Sequence, residues 1–197
     1  MKRESKMQKI LVIGCCGSGK STFSKKLQSI LNLEVIHLDQ YYHKPNWEEM
    51  EEGEWGKTVN NLVQKPSWIM DGNYSDTLDV RIKHADTIIY LDYPILTCFW
   101  RVIKRIFKYY GTVRPDMPQG CEERFNLEFL HYVATFNFKK RQGILEKLNT
   151  VKENKKIIFS KQRKKQIYFF LKTGTAEQAS PNIKLLTVFC SFLVIAI

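Results

Sequence analysis

The chain has 197 residues, is 44% hydrophobic and 26% charged, and carries a formal net charge of +11. That length and balance describe a single globular domain with a real core and exclude a disordered or fibrous chain. The charge points to anionic partners, whether nucleotide phosphates, nucleic acid or a membrane surface, without choosing among them.

Residues 1–8 are polar and basic, and the apolar run after them is too short for a signal-peptide core, so no export signal is expected; Met7 is an alternative start. Lys9 to Ile13 is a nearly all-apolar run, as a buried parallel strand requires. Gly14-Cys15-Cys16-Gly17-Ser18-Gly19-Lys20-Ser21 then fits the phosphate-loop pattern G-x-x-x-x-G-K-[ST]. After it, Phe23, Leu27, Ile30 and Leu31 fall on one face of a helix. In this strand–turn–helix context the glycines curl backbone N–H groups around a phosphate, and the helix aims its positive end at the same anion. Residues Gly14 to Thr22 are therefore expected to hold a nucleoside triphosphate, with Lys20 on its β/γ-phosphates and the Ser21 hydroxyl on Mg²⁺.

Val35 to Leu38 reads as a second strand ending at Asp39, followed by an aromatic and polar stretch to Trp55 that contains Tyr41, Tyr42, His43 and Trp47. A short helix around Val59 to Val63 precedes a third strand, Ser67 to Met70, which ends at Asp71-Gly72-Asn73-Tyr74. A helical stretch around Leu78 to Lys83 leads to a fourth strand, Thr87 to Leu91, ending at Asp92. Pro94 opens the clearest helix, with Ile95, Phe99, Val102, Ile103, Ile106 and Tyr110 on one face and Arg101, Lys104, Arg105 and Lys108 on the other. The prolines and glycines of residues 111–120 exclude regular helix there. Helical patterns return at 122–132 and 139–148, a fifth strand is expected at Ile157 to Phe159, and a basic helix at 161–171. Strands alternating with helices argue for an α/β fold with a parallel sheet covered on both faces.

Residues 173–182 read as a polar linker, and 185–197 are thirteen uncharged, mostly apolar residues. A spanning helix needs ~20 residues, so a membrane anchor is not expected. The five cysteines, Cys15, Cys16, Cys98, Cys121 and Cys190, include no C-x-x-C pair. Neither a disulfide framework nor a zinc site is expected, and a reducing cytoplasm is the natural compartment.

In an open α/β sheet, ligands sit beyond the carboxyl ends of the strands. Asp39, Asp71 and Asp92 fall at such ends; Asp39 and Asp71 are the favoured candidates for holding metal or accepting a proton from a substrate hydroxyl, the bland alternative being turn and helix-cap roles. Charge on a transferring phosphoryl group calls for cations. Arg101 and Arg105, four residues apart on one helix face, are expected at the triphosphate, and Arg81, Arg114, Arg124 and Arg141 are candidates for substrate anions, against the alternative of solvated basic faces. The four histidines lack metal-ligand spacing and receive no role.

The phosphate loop, H-L-D at 37–39, W-I-M-D-G-N-Y at 68–74, R-P-D-M-P-Q-G-C at 114–121 and L-E-F-L at 127–130 together resemble the topology modulation (FlaR-type) proteins of bacteria. Those are similar in turn to adenylate kinase and the nucleoside-monophosphate kinases. The resemblance implies a P-loop NTPase three-layer fold with a five-stranded parallel sheet in residues 1–172, an acceptor-binding segment at 39–65 and a helical lid at 109–124. It places Arg101 and Arg105 on the helix that delivers arginines to the triphosphate. Asp71 to Tyr74 stands where adenylate kinase has D-G-F-P-R but lacks that proline and arginine, so AMP is not implied as acceptor. The first expectation is a Mg²⁺-dependent kinase moving the γ-phosphoryl of ATP to a small acceptor. The second is a nucleotide-binding regulator acting on DNA, less favoured because the charge is diffuse and no helix-turn-helix pattern is evident.

Overall fold

Ile10, Leu11, Val12 and Ile13 of strand β1 (Lys9–Gly14) are all fully buried. Successive strand side chains point to opposite faces, so this strand is covered on both sides. The structure, a computed structural model, describes residues 7–160, all within the unit Met1–Lys161. The basic helix expected at 161–171 and the linker and apolar tail expected beyond it lie outside the described residues.

In chain order, β1 is followed by α1 (Lys20–Leu31), β2 (Val35–His37), α2 (Asp39–Tyr42), β3 (His43–Lys44), β4 (Glu48–Glu49) and α3 (Glu52–Gln64). Then come β5 (Trp68–Asp71), α4 (Leu78–His84), β6 (Thr87–Leu91), α5 (Ile95–Tyr109), α6 (Leu127–Phe136), α7 (Gln142–Val151) and β7 (Lys156–Ser160). Five strands form one sheet in the order β2-β5-β1-β6-β7, every pair parallel. The register sets Asp71 beside both Val12 and His37, and Leu91 beside both Gly14 and Ser160. All five carboxyl ends therefore finish along one edge, where the phosphate loop, Asp39, Asp71 and Asp92 gather.

Helix α1 packs on β1, β2 and β5, and α5 packs on α6. The phosphate loop is seated directly on α5. A Cβ on Gly17, whose φ is +80°, would lie 2.2 Å from the Cys98 carbonyl oxygen and 3.0 Å from Val102. Only glycine permits that approach.

Several expectations are corrected. The aromatic stretch after Asp39 is not a plain loop: it forms α2 and the small antiparallel β3–β4 hairpin. Helix α5 buries Cys98, Val102 and Ile106, while Tyr110 lies past its end and is exposed. Helix α6 starts at Leu127 rather than near 122, capped by the Asn126 side chain, which accepts from Phe129 N at 3.0 Å. Glu122 and Glu123 instead bridge to Val113 and Tyr110.

That bridging also removes the expected helical lid. Residues 110–126 hold no helix; they are successive turns, closed by bonds such as Thr112 N to Tyr109 O at 2.8 Å and Met117 N to Arg114 O at 3.0 Å. This stretch docks on residues 39–65. Asn46 N donates to Gly120 O and Trp47 Nε1 to Glu122 O, both at 2.8 Å, and the buried Cys121 thiol donates to Lys44 O at 3.1 Å. Among the described residues, no helix is long and apolar enough to cross a membrane.

Two glycines separate close packing from backbone strain. Gly19 has φ +93° but nothing within 4 Å of an added Cβ. Gly19→Ala should lower stability by about 1–2 kcal/mol. Gly17→Ala must also push the loop off α5 and should cost about 3 kcal/mol or more. Urea unfolding of the two variants checks the order.

Candidate active site

Helix α1 begins at Lys20 with no side-chain cap and no acidic residue in its first turn. Its first N–H groups have no intrahelical acceptors, so this end can donate to an external anion. Lys20 Nζ donates to the carbonyl oxygens of Gly14 at 2.8 Å and Cys15 at 3.2 Å, which holds the ammonium over the loop. Gly14 N donates to Asn73 Oδ1 at 3.1 Å, tying the loop to the turn after β5. Cys15 and Cys98 are both buried and free of disulfides. The Cys15 thiol donates to Cys98, and that bond, with burial, pushes the Cys15 thiol up while favouring the Cys98 thiolate. The Cys15 side chain thus faces α5, leaving its backbone to the loop.

The second wall comes from β2, β5 and the turn beyond. His37 Nδ1 and Asp71 Oδ2 are 2.9 Å apart and both residues are buried. Burial alone would lower the His37 pKa, but the hydrogen bond to Asp71 and the charges of Asp71 and Asp116 hold it above the ordinary 6.5. Asp71 is thus brought to the crevice as half of an ion pair whose other half is a histidine given no role in the sequence reading. Asp39 opens α2 and accepts from the Tyr74 hydroxyl through Oδ1 at 2.7 Å. Burial, and then the Asp39 charge, push the Tyr74 phenol well up, so it stays a donor. The Tyr74 ring also packs against Tyr42 and Trp55, with centroids 4.6 and 4.9 Å apart.

Arg81 was expected to meet a substrate anion. It is instead 0% exposed, and its guanidinium donates to the carbonyls of Gly72, Asn73, Tyr74 and Thr77 at 2.6–3.3 Å. It clamps the turn that presents Asn73 and Tyr74, a structural task that places it beneath the site.

Residues 110–126 supply the third wall. Arg114 Nη1 donates to both oxygens of Asp116, at 3.2 and 3.0 Å. Its Nε lies 2.6 Å from Oε2 of the buried Glu123, an ion pair by proximity rather than an aligned hydrogen bond. Arg105 Nη2 reaches the other Glu123 oxygen at 3.1 Å. The Ser21 hydroxyl hydrogen-bonds Asp116. Burial pushes the Asp116 carboxyl up, but the Arg114 charge and the Ser21 bond hold it below the ordinary 3.8, so it is ionised at neutral pH. A continuous chain of contacts therefore runs from α5 through Glu123, Arg114 and Asp116 to the phosphate loop.

The remaining arginines divide. Arg101 lies over the Tyr93 ring, 4.8 Å from its centroid, and its charge acts on Cys98 below the loop. Arg141 grips Asp92 through two bonds of 2.8 Å each, so these two neutralise one another. Arg124 is exposed and forms no salt bridge among the described residues. The structure thus gathers the phosphate loop, Asp39, Asp71 and, through Asp116, the lid; it does not bring Arg81, Arg105 or Arg141 there with free charges. Asp116, Glu123, His37 and Tyr74 were missed as site residues. Three of them lie inside the quoted motifs, but nothing in spacing reveals that Asp116 reaches back to Ser21.

Comparisons with known proteins bear on the fold. No family model and no curated protein matches the chain. Among solved structures, a sugar kinase from a Janibacter species aligns at 17% identity and a TM-score of 0.50, over 88% of this chain and 99% of its own. A deoxyadenosine kinase from M. mycoides with bound dATP aligns at 15% identity and a TM-score of 0.44, over 83% and 97%. A gluconokinase from Sinorhizobium meliloti aligns at 16% and 0.45, over 91% and 97%. At 17% identity and a TM-score of 0.50, the likeness to the Janibacter structure establishes the fold alone, an α/β arrangement around a parallel sheet. The resemblance to topology modulation proteins rests on the sequence motifs alone.

Two tests follow from the charge network. Glu123→Gln leaves the buried Arg114 and the half-buried Arg105 with a neutral partner and should lower stability by about 3–5 kcal/mol, read by chemical denaturation. Because the His37 pKa is raised on folding, the pair's contribution is complete below the ordinary 6.5 and is lost as pH rises through the folded value. Wild-type protein should lose stability across that interval, and His37→Asn should abolish the dependence in a pH series of melting curves.

Proposed function

We propose that this chain is a Mg²⁺-dependent phosphotransferase that moves the γ-phosphoryl group of ATP to a hydroxyl of a small acceptor. The observation that carries the reading is the convergence, at one edge of a parallel sheet, of a phosphate loop bearing Lys20 and Ser21 with the carboxylates of Asp39, Asp71 and Asp116. The uncapped α1 terminus and the open space around Gly19 fit a polyphosphate. The buried Ser18 hydroxyl, without a hydrogen-bond partner among the described residues, is a further donor at the same loop.

The donor set also fits Mg²⁺. Among the described residues no group of three His, Cys, Asp or Glu side chains is placed to hold a metal. Mg²⁺ ordinarily relies on one or two protein oxygens and on substrate phosphates, and Ser21 beside the ionised Asp116 supplies such oxygens. When bound, the ion neutralises charge on the phosphate oxygens.

In this reading Lys20 and the loop N–H groups orient the triphosphate. Asp39 receives the proton of the acceptor hydroxyl on Oδ2, with Tyr74 holding Oδ1. The acceptor oxygen bonds to the γ-phosphorus as the bond from that phosphorus to the β,γ-bridging oxygen breaks, releasing ADP. Asp71, fixed by His37, orients the acceptor side. Arg101 faces the donor side. Arg105 is a positioning residue that acts through Glu123 on Arg114. The docked lid keeps water from the transferring group.

The test is ADP formation with a panel of nucleosides, nucleoside monophosphates and small hydroxylated metabolites. Lys20→Ala should lower the rate with the best acceptor by about 100-fold or more. Absence of turnover above that variant for every acceptor would overturn the assignment.

A further inference from the structure

The charges around the acceptor side of the crevice carry an inference about what enters it. Recognition of a phosphate or carboxylate requires a guanidinium or ammonium with bonding capacity to spare. Here Arg114, the arginine that the lid brings to the crevice, is already held between Glu123 and Asp116. Arg105 shares Glu123, Arg141 is bidentate on Asp92, and Arg81 is buried on four carbonyls. His37 is matched to Asp71. Burial lowers His43 below its ordinary 6.5, so it adds no charge at neutral pH.

The segment read as meeting the acceptor is acidic overall, with exposed glutamates around it. Residues 39–65 contain six carboxylates, Asp39, Glu48, Glu49, Glu51, Glu52 and Glu54, against three lysines, although the whole chain carries +11. Two of those lysines are paired, Lys44 with Glu54 at 3.6 Å and Lys65 with Glu34, outside the segment, at 2.7 Å. Among the described residues the Asp39 carboxylate hydrogen-bonds the neutral Tyr74 phenol, whose ring packs against those of Tyr42 and Trp55. Aromatic faces with carboxylate oxygens suit C–H surfaces, hydroxyls and ammonium groups, and they repel a second anion.

We infer that the acceptor is an uncharged or cationic hydroxyl compound, such as a sugar, an amino sugar or a nucleoside, and not a phosphorylated or carboxylated one. This rests on the kinase reading of the crevice. It also divides the site: Lys20 and the loop N–H groups take the triphosphate, and the acidic 39–65 segment disfavours a second anion on the acceptor side.

The experiment compares acceptors matched in skeleton and different in charge: glucose, glucosamine and gluconate, and adenosine with its monophosphate. With the full chain and Mg-ATP, kcat/KM for the better of the neutral and cationic members should exceed that of the anionic member by about 100-fold. An anionic member as best acceptor, or no discrimination by charge, overturns the inference.

The same series is measured by calorimetric binding in the presence of a non-hydrolysable ATP analogue. Binding that keeps the predicted order without turnover sustains the inference and overturns the kinase assignment. Preference for the anion, or binding by no member, overturns the inference. Asp116→Asn, which removes a crevice carboxylate while Glu123 still holds Arg114, should narrow the discrimination by about tenfold. An unchanged ratio in folded variant protein, checked by circular dichroism, counts against it. Glu123→Gln should shift the ratio in the same direction, by freeing Arg114.

Discussion

At Gly17 the backbone of the phosphate loop meets the backbone of α5 with no room for a side chain, at the Cys98 carbonyl. Much of the site follows from that contact. It fixes where α5 crosses the carboxyl edge of the sheet, and so where Arg101 and Arg105 can reach. Arg105 then determines where Glu123 is neutralised, Glu123 anchors Arg114, and Arg114 sets Asp116 against Ser21. The lid is thereby tied through side-chain charges to the same helix on which the loop is seated. A displacement of α5 would be felt at both the donor loop and the lid.

Charge pairing is the second organising constraint. An unpaired buried ion is far more costly than a paired one, so each buried charge needs a partner within reach. Glu123 takes two arginines, Asp71 takes His37, and Arg81 is satisfied by carbonyl oxygens alone. These pairings are why a chain of net charge +11 presents few of its guanidinium groups to the crevice. A helical face of basic residues is not a phosphate clamp unless its partners leave it free. The same pairing makes the crevice sensitive to pH from the histidine side, since the His37–Asp71 pair weakens as the imidazole loses its proton.

The sheet and the phosphate loop were legible in the sequence because their signals are local. A short apolar run, a glycine turn and a helix face define β1, the loop and α1 without reference to anything distant. The runs ending at Asp71 and Leu91 are bounded clearly enough to give β5 and β6 nearly to the residue. The side formed by residues 39–65 and 110–126 was legible only in part. The helix expected from Glu122 failed because the Glu123 carboxylate, and the backbone of both residues, are engaged by residues nine to eighteen positions upstream. Composition excluded regular helix at 111–120, yet it did not show that the rest of the lid is equally irregular.

What the amino-acid sequence determined by itself is the phosphate loop, the parallel α/β order and the aspartates that follow the strands, since each depends on spacing along the chain. Only the tertiary structure decided which charged groups remain available. Arg81, Arg105 and Arg141 look alike in the sequence, but folding places a carbonyl cage, Glu123 and Asp92 beside them. Asp116, unremarkable in its motif, is carried to Ser21 by a lid docked on residues 39–65. The physical reason is that an ion's role depends on the charges within a few ångströms of it, and those neighbours come from parts of the chain that no local pattern connects.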